Sequence, residues 1–187
     1  MLKPILLIVA GMAIVFLISF KSAVPKDSFL DSFNSLQEGE EIPKNFISEF
    51  IDSTIINKDF YGKYVLLQKE PFESKSFPHM IYELHNGVCK LEFLITYNSS
   101  GKIIDQLKLS SGCDHDGANP IAKSISSKLN LPKNRIIITY TEESVSKDLI
   151  DENGLIKDGK SFWDLETETK TTKKNYLLQS NGKIKEL

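Results

Sequence analysis

The sequence contains little arginine and no cluster of basic residues. Arg135 is the only arginine, the lysines are spread along the chain, and the formal net charge is −2. Without residues 1–23, which include Lys3 and Lys21, 21 basic residues remain against 25 acidic ones. Proteins that bind nucleic acids or anionic lipid surfaces gather lysine and arginine on one face. The composition therefore argues against a nucleic-acid partner.

The sequence also lacks the short motifs that mark common catalytic sites. It has no G-x-S-x-G, no phosphate-binding glycine loop and no H-E-x-x-H. None of its three histidines is spaced to activate a serine or a cysteine. These absences predict a protein that is not an enzyme and that needs no cofactor.

A long apolar run is present at the N-terminus. Lys3 is followed by 17 uncharged residues, and the run ends at Lys21. It is long for the apolar part of a signal peptide and short for a membrane span of roughly 20 residues, so residues 1–23 are predicted to be a signal peptide or a membrane anchor. Either would export the chain to the periplasm, the membrane or the cell surface. Phe20 stands where a bacterial lipobox needs its cysteine, so no lipid can be attached there.

Residues 24–187 are predicted to form a single β-rich domain that begins with two short helices. A first helix near 28–37 has its apolar residues at helical spacing, namely Phe29, Leu30, Phe33 and Leu36. A second helix near 43–52 begins at Pro43 and presents Phe46, Ile47, Phe50 and Ile51. Both helices are short and have acidic polar sides, which favours packing onto the domain over binding to a membrane surface.

From Phe60 onward the apolar residues follow a period of two, which predicts β-strands. The clearest runs are "KYVLLQ", "HMIYELH", "VCKLEFLITY", "KIIDQLKLS" and "NRIIITYTEES". After a turn-rich excursion over 151–160, Trp163 opens an alternating strand and is predicted to lie in the core, and the last pair of strands turns at Asn181-Gly182. The fold class is α+β, mostly β: an antiparallel meander of about seven or eight strands in a curved sheet or partial barrel.

A hairpin centred on "NSSG" gives the most detailed prediction. Asn98 to Gly101 suits a type I turn with Gly101 in the left-handed position of a G1 bulge, which pairs residue 98 with residue 102. An uninterrupted ladder then sets Tyr97 opposite Ile103, Phe93 opposite Leu107 and Leu91 opposite Leu109. Ile95 opposite Asp105 is the one unfavourable pair.

The two cysteines lie at the far end of this hairpin. In the same register Cys89 faces Ser111, and Cys113 is its diagonal neighbour at roughly 7 Å, within reach if the strand bends at Gly112. An exported chain with two cysteines favours pairing them. A Cys89–Cys113 disulfide is predicted, with two buried thiols as the alternative.

An acidic loop follows Cys113 and contains Asp114, His115 and Asp116. A calcium loop of the EF-hand type that started at Asp114 would need glycine and glutamate where this chain has Asn119 and Ile125. Zinc needs three or four ligands, more than the loop supplies. The interpretation favoured by the sequence is a solvated loop, with a weak metal site at these three residues as the alternative and catalysis as a third.

The two other histidines do not complete a site. His79 and His85 lie with Glu83 on one face of a strand, while Met80, Tyr82 and Leu84 occupy the opposite, core face. Along an extended strand the two histidines are about 20 Å apart, too far for one ion.

The strand series and the "GKIIDQLKLSSGCDHDG" stretch resemble a loose group of uncharacterised exported β-rich proteins of Gram-negative bacteria, many of them lipoprotein-like. The resemblance covers residues 29–187 and implies an envelope location and a β-rich fold, but no activity. The expected function is a non-catalytic binding or structural role in the cell envelope, with a protein or glycan ligand and with membrane contact through the N-terminal segment if it is retained. The alternatives are an inhibitor or immunity-type protein and a hydrolase with an unrecognised site.

Overall fold

The structure is a computed structural model that describes residues 29–51, 62–72, 75–85, 87–113 and 115–187. These residues form two helices and eight antiparallel strands, which pair in sequence order in one curved, unclosed sheet. The elements are α1 (Phe29–Ser35), α2 (Lys44–Phe50), β1 (Lys63–Lys69), β2 (His79–His85), β3 (Cys89–Tyr97), β4 (Ile103–Cys113), β5 (Ile121–Asn130), β6 (Arg135–Val145), β7 (Thr167–Leu178) and β8 (Ile184–Glu186). The predicted mostly-β meander with two short helices is confirmed.

The predicted signal peptide or anchor over 1–23 lies outside the described residues, as do residues 24–28. Within the described ranges, no helix has the length and apolar character needed to cross a membrane.

Both helices pack on the sheet by their apolar faces. The ring of Phe29 lies 5.0 Å from the rings of both Phe50 and Tyr97, measured between centroids. The helix-side core consists of Phe29, Phe33, Leu36, Ile42, Phe46, Ile51, Tyr64, Leu66, Met80, Tyr82, Leu84, Phe93, Ile95 and Tyr97. Pro43 precedes the first helical residue of α2 instead of being that residue, a difference of one position from the prediction.

The opposite face of the sheet is also covered. The second core consists of Phe72, Phe77, Ile81, Leu94, Leu109, Ile136, Ile138, Tyr176 and Leu178. Since it joins residues of β2–β4 to residues of β6 and β7, the second half of the meander folds over the first. The fold-over occurs between β4 and β5, which share a single residue pair, Ser111 with Ile125.

The hairpin turn and the first predicted pair, Tyr97 opposite Ile103, are confirmed, but the predicted register beyond that pair is wrong. Gly101 has φ +82°, and the N–H of Asn98 donates to the C=O of Lys102 over 2.9 Å. Two bulges then add one residue each to β4, at Ile104 and Leu109, so Phe93 lies opposite Lys108 and Leu91 opposite Ser111. The predicted pairs Phe93–Leu107 and Leu91–Leu109 are therefore wrong.

Packing in the second core explains the two bulges. Leu109, at one bulge, is fully buried in this core. Ile104, at the other bulge, packs against the same core. The shift also moves Asp105 from Ile95 to Thr96, and the Asp105 carboxylate accepts the N–H of Ile184 over 2.8 Å. The hydroxyl of Thr96 donates to the C=O of Gly182 over 2.8 Å. These two bonds attach the turn before β8 to the β3–β4 hairpin.

His79 is buried, with 1% of its surface exposed. Its Nε2 accepts the N–H of Phe72 over 3.1 Å, and its Nδ1 lies 3.0 Å from the C=O of Phe77. Met80, Tyr82 and Leu84 face a core as predicted, but the face of β2 that carries His79 also carries the buried Ile81. Both faces of β2 are covered because the sheet folds over itself.

We expect His79 to make the protein less stable in mild acid. Burial lowers the pKa of His79 below its usual value, an effect that the Phe77 carbonyl partly opposes. His79 of the unfolded chain takes up a proton near pH 6.5, whereas the buried His79 of the folded chain stays neutral to a lower pH. The free energy of unfolding is therefore unaffected by this histidine above pH 6.5. It falls below that pH, by at most about 1.4 kcal/mol per pH unit. Chemical denaturation at pH 7.5 and 5.5 should show a smaller loss in His79→Gln than in the parent. His85→Gln, on the same strand, is the matched control and should behave like the parent; equal losses in all three proteins would contradict the assignment.

Candidate ligand-binding cleft

The Cys89–Cys113 disulfide closes the end of the β3–β4 hairpin. The two residues are direct cross-strand partners, with Cα atoms 4.0 Å apart. The disulfide itself is confirmed, but the predicted pairing of Cys89 with Ser111 is wrong, because the two bulges shift the register by two residues. The pair is therefore directly opposed and needs no bend at Gly112.

The loop after the disulfide is held by hydrogen bonds. Asp114 lies outside the described residues. Asp116 caps a turn, since its carboxylate accepts the N–H of Ala118 over 3.1 Å and its C=O accepts the N–H of Asn119 over 2.9 Å. The C=O of Gly117 then accepts the N–H of Phe162 over 2.7 Å. Asp116 thus has a defined role in positioning the loop against the excursion before β7.

Gly117 lies close to Ser161, the residue that follows the 151–160 excursion. A Cβ atom at this position would lie 2.7 Å from the Oγ of Ser161. A third cluster fixes the excursion nearby, with Val145, Ile156 and Phe162 buried. The loop and the excursion therefore form one packed unit.

His115 sits inside this unit. Its Nε2 lies 3.1 Å from the C=O of Ile121, to which a protonated Nε2 donates. Its ring lies 4.5 Å from the ring of Phe162 and 5.5 Å from that of Trp163. Its Nδ1 is buried without a hydrogen-bond partner in the described part of the chain. In the neutral ring with its proton on Nε2, Nδ1 is a free acceptor.

Trp163 is 66% exposed, so the prediction that it lies in the core is wrong. Residues Phe162–Asp164 form a 3-10 turn, and β7 begins only at Thr167. With about three residues per turn, neighbouring side chains point about 120° apart, so only one of two consecutive aromatic residues can face the core. Phe162 takes that position and is buried, and the indole of Trp163 projects outward beside it.

A cleft of about 290 Å³ lies between the end of β4 and the start of β5, where the two strands diverge. His115 and Trp163 form one wall. The lining residues are Gly112, Cys113, His115, Ala122, Lys123, Ser124, Thr141, Glu143 and Trp163. The cleft therefore combines one broad apolar ring with a few hydroxyl and carboxylate groups, which can fix the orientation of a ligand.

The ammonium group of Lys123 points away from the cleft. The Nζ of Lys123 lies 3.1 Å from the Oε2 of Glu142 on β6, and both side chains are substantially exposed. Such an exposed pair contributes little to stability. Lys123 and Glu142 are directly opposed across β5 and β6, while Ser124 and Thr141 form the next pair and face the other side of the sheet.

The structure brings His115 to the cleft and leaves Asp116 outside its lining. Among the described residues, no group of three or more His, Cys, Asp or Glu side chains could hold a metal ion. His79 and His85 lie on β2 and also do not line the cleft.

Sequence reasoning missed Lys123, Ser124, Thr141, Glu143 and the role of Trp163. The exposure of Trp163 could have been inferred from its neighbour Phe162. In a turn, two consecutive aromatic side chains cannot both be buried. The other four lie on β5 and β6 and carry no motif. No protein-family model, no curated protein and no solved structure matches the chain.

Proposed function

We propose that the protein is a non-catalytic binding protein of the cell envelope that holds a saccharide in the cleft beside Trp163. The observation that carries the proposal is the exposed indole next to a polar cleft. The rings of His115 and Phe162 support the indole from behind, with centroids 5.5 Å and 5.4 Å from that of Trp163. A sugar ring has an apolar C–H face that stacks on an aromatic ring and hydroxyl groups at its rim.

The polar residues of the cleft suit those hydroxyl groups. Ser124 and Thr141 each offer a hydroxyl that donates and accepts, and Glu143 accepts. These groups lie on neighbouring strands, so the sheet fixes their spacing. A ligand that needs both a flat apolar contact and several hydrogen bonds fits this arrangement better than a purely apolar one does.

The disulfide supports an envelope location, because disulfides persist in oxidising compartments. It also fixes Cys113, which lines the cleft. The predicted export through residues 1–23 and the resemblance to exported proteins agree with this location. The alternative roles, as an inhibitor or as a hydrolase, remain predictions of the sequence.

We expect saccharide binding to change the fluorescence of Trp163, which is the only tryptophan in the chain. Titration of the full-length protein in detergent with the tetramer of N-acetylglucosamine, as a probe of cell-wall glycan chemistry, should shift the emission to shorter wavelength. Calorimetry should then give binding that is at least tenfold weaker for Trp163→Ala.

Leu187→Ala is the matched control, since Leu187 is 60% exposed and does not line the cleft. It should bind like the parent. No response to this tetramer, or to a panel of other cell-wall saccharides, would overturn the saccharide assignment. Binding that survives Trp163→Ala would place the site elsewhere.

A further inference from the structure

Among the residues that the structure describes, nothing pairs with the outer edge of β7 over most of its length. β8 pairs only with Tyr176, Leu177 and Leu178. In the described part of the chain, no strand pairs with the outer side of residues 167–174. The other end of the sheet is protected differently: the N–H groups of Gly39 and Ile42 donate to the carbonyls of Leu66 and Tyr64 over 2.7 Å, so residues 39–42 cover β1.

The hydrogen bond between Leu187 and Asn175 shows which backbone groups of β7 point away from the sheet. Leu187 N–H donates to the C=O of Asn175 over 2.8 Å, so the backbone groups of Asn175 point outward. In a strand these directions alternate. The N–H and C=O groups of Thr169, Thr171 and Lys173 therefore also point outward, and all three residues are exposed.

The charges along the edge are arranged asymmetrically. Glu168 lies at the N-terminal end, and Lys170, Lys173 and Lys174 follow toward the C-terminal end. A second copy running antiparallel places its basic end against the acidic end of the first. Opposite charges that face each other across two strands are stabilising, and like charges are destabilising.

We propose that β7 pairs with β7 of a second copy of this chain across a two-fold axis that passes through Thr171. Of the registers that bring outward backbone groups together, two pair the most residues of 167–174, one with Thr171 opposite itself and one with Lys170 opposite itself. The second register opposes two ammonium groups. The first places Glu168 opposite Lys174 of the second copy, twice by symmetry, and joins two sheets edge to edge.

This pairing also extends a groove on the inner face of the sheet. Lys170 and Thr172 line that groove together with Tyr140. In the proposed register Lys170 lies opposite Thr172 of the second copy. The grooves of the two copies therefore meet at the symmetry axis and form one longer channel.

A cross-linking experiment tests the register on the full-length chain in mild detergent. Directly opposed residues have Cα atoms about 4.5–5.5 Å apart, within the range of a disulfide. Thr171→Cys under a mild thiol oxidant should give mostly covalent dimer. Thr169→Cys is the matched control, because residue 169 of one copy lies four residues from residue 169 of the other along the pair, about 13 Å away.

The proposal is supported if the cross-linked fraction of Thr171→Cys is at least fivefold higher than that of Thr169→Cys. Equal cross-linking of the two variants would mean random collision and would overturn it. A lack of cross-linking in both would mean an uncovered edge whose lysines suppress association, which would also overturn it.

A charge reversal gives an independent test in the Thr171→Cys background. Glu168→Lys should lower the cross-linked fraction about fivefold, and adding Lys174→Glu together with Glu186→Lys, which keeps opposite charges at the Lys174–Glu186 pair, should restore most of it. The single reversal leaves the Lys174–Glu186 ion pair at 3.0 Å intact, so its effect does not come from that bond. If the single reversal leaves cross-linking unchanged, the proposed register is wrong.

Discussion

Replacing Gly101 by valine is expected to lower the free energy of unfolding by about 2–4 kcal/mol. Two effects add at this position. A β-branched residue resists the φ of +82° that the turn requires. A Cβ atom would also lie 2.6 Å from Cδ2 of Phe29 and 2.8 Å from Cδ1 of Phe50, so the substitution forces α1 and α2 away from the turn.

Gly154→Val separates these two effects. Gly154 has φ +80°, and nothing lies within 4 Å of a Cβ atom built there. Valine at this position is expected to lower the free energy of unfolding only through backbone strain, by about 1–2 kcal/mol. Denaturant midpoints of the parent and both variants give the comparison. Equal losses would show that the helices do not press on the β3–β4 turn.

Removing the disulfide is the other change for which we expect a large effect. Cys89 and Cys113 are separated by 24 positions, and closing a loop of that size in the unfolded chain is worth roughly 3 kcal/mol in the chain-entropy estimate. Cys113 is exposed and Cys89 is only half-buried, so little packing is lost. The Cys89→Ala, Cys113→Ala double variant should therefore unfold at lower denaturant, mainly through the lost cross-link.

Reductant provides the control for this prediction. It should lower the stability of the parent by a similar amount and leave the double variant unchanged. It should also weaken saccharide binding in the parent, because Cys113 lines the cleft. A parent that loses less than about 1 kcal/mol on reduction would contradict the cross-link account.

Local signals in the sequence predict the turns and most strands of this fold. The "NSSG" turn depends on a glycine that can adopt positive φ, which neighbouring residues alone define. β2 has the predicted bounds, His79–His85, because its alternation is unbroken. The two bulges in β4 could not be predicted, since they depend on a second core whose other half is contributed by β6 and β7.

β5 shows the same limit. Its sequence "IAKSISSKLN" mixes serine and lysine with few apolar residues, and its burial is only partial throughout. It is a strand because β6 pairs with it along its whole length. The cleft could not be predicted either, because it depends on the divergence of β4 from β5 and on a contact between His115 and Trp163, 48 positions apart.

The order of the strands has a consequence for how the chain folds. Each strand pairs with its neighbour in sequence, so no strand needs a later element than the next one to find its first partner. The bonds from Thr96 to Gly182 and from Ile184 to Asp105 span 86 and 79 positions. A chain that emerges N-terminus first, from a ribosome or a translocation channel, can assemble α1, α2 and β1–β4 before β5 has appeared. The C-terminal turn then docks last, as the step that completes the fold.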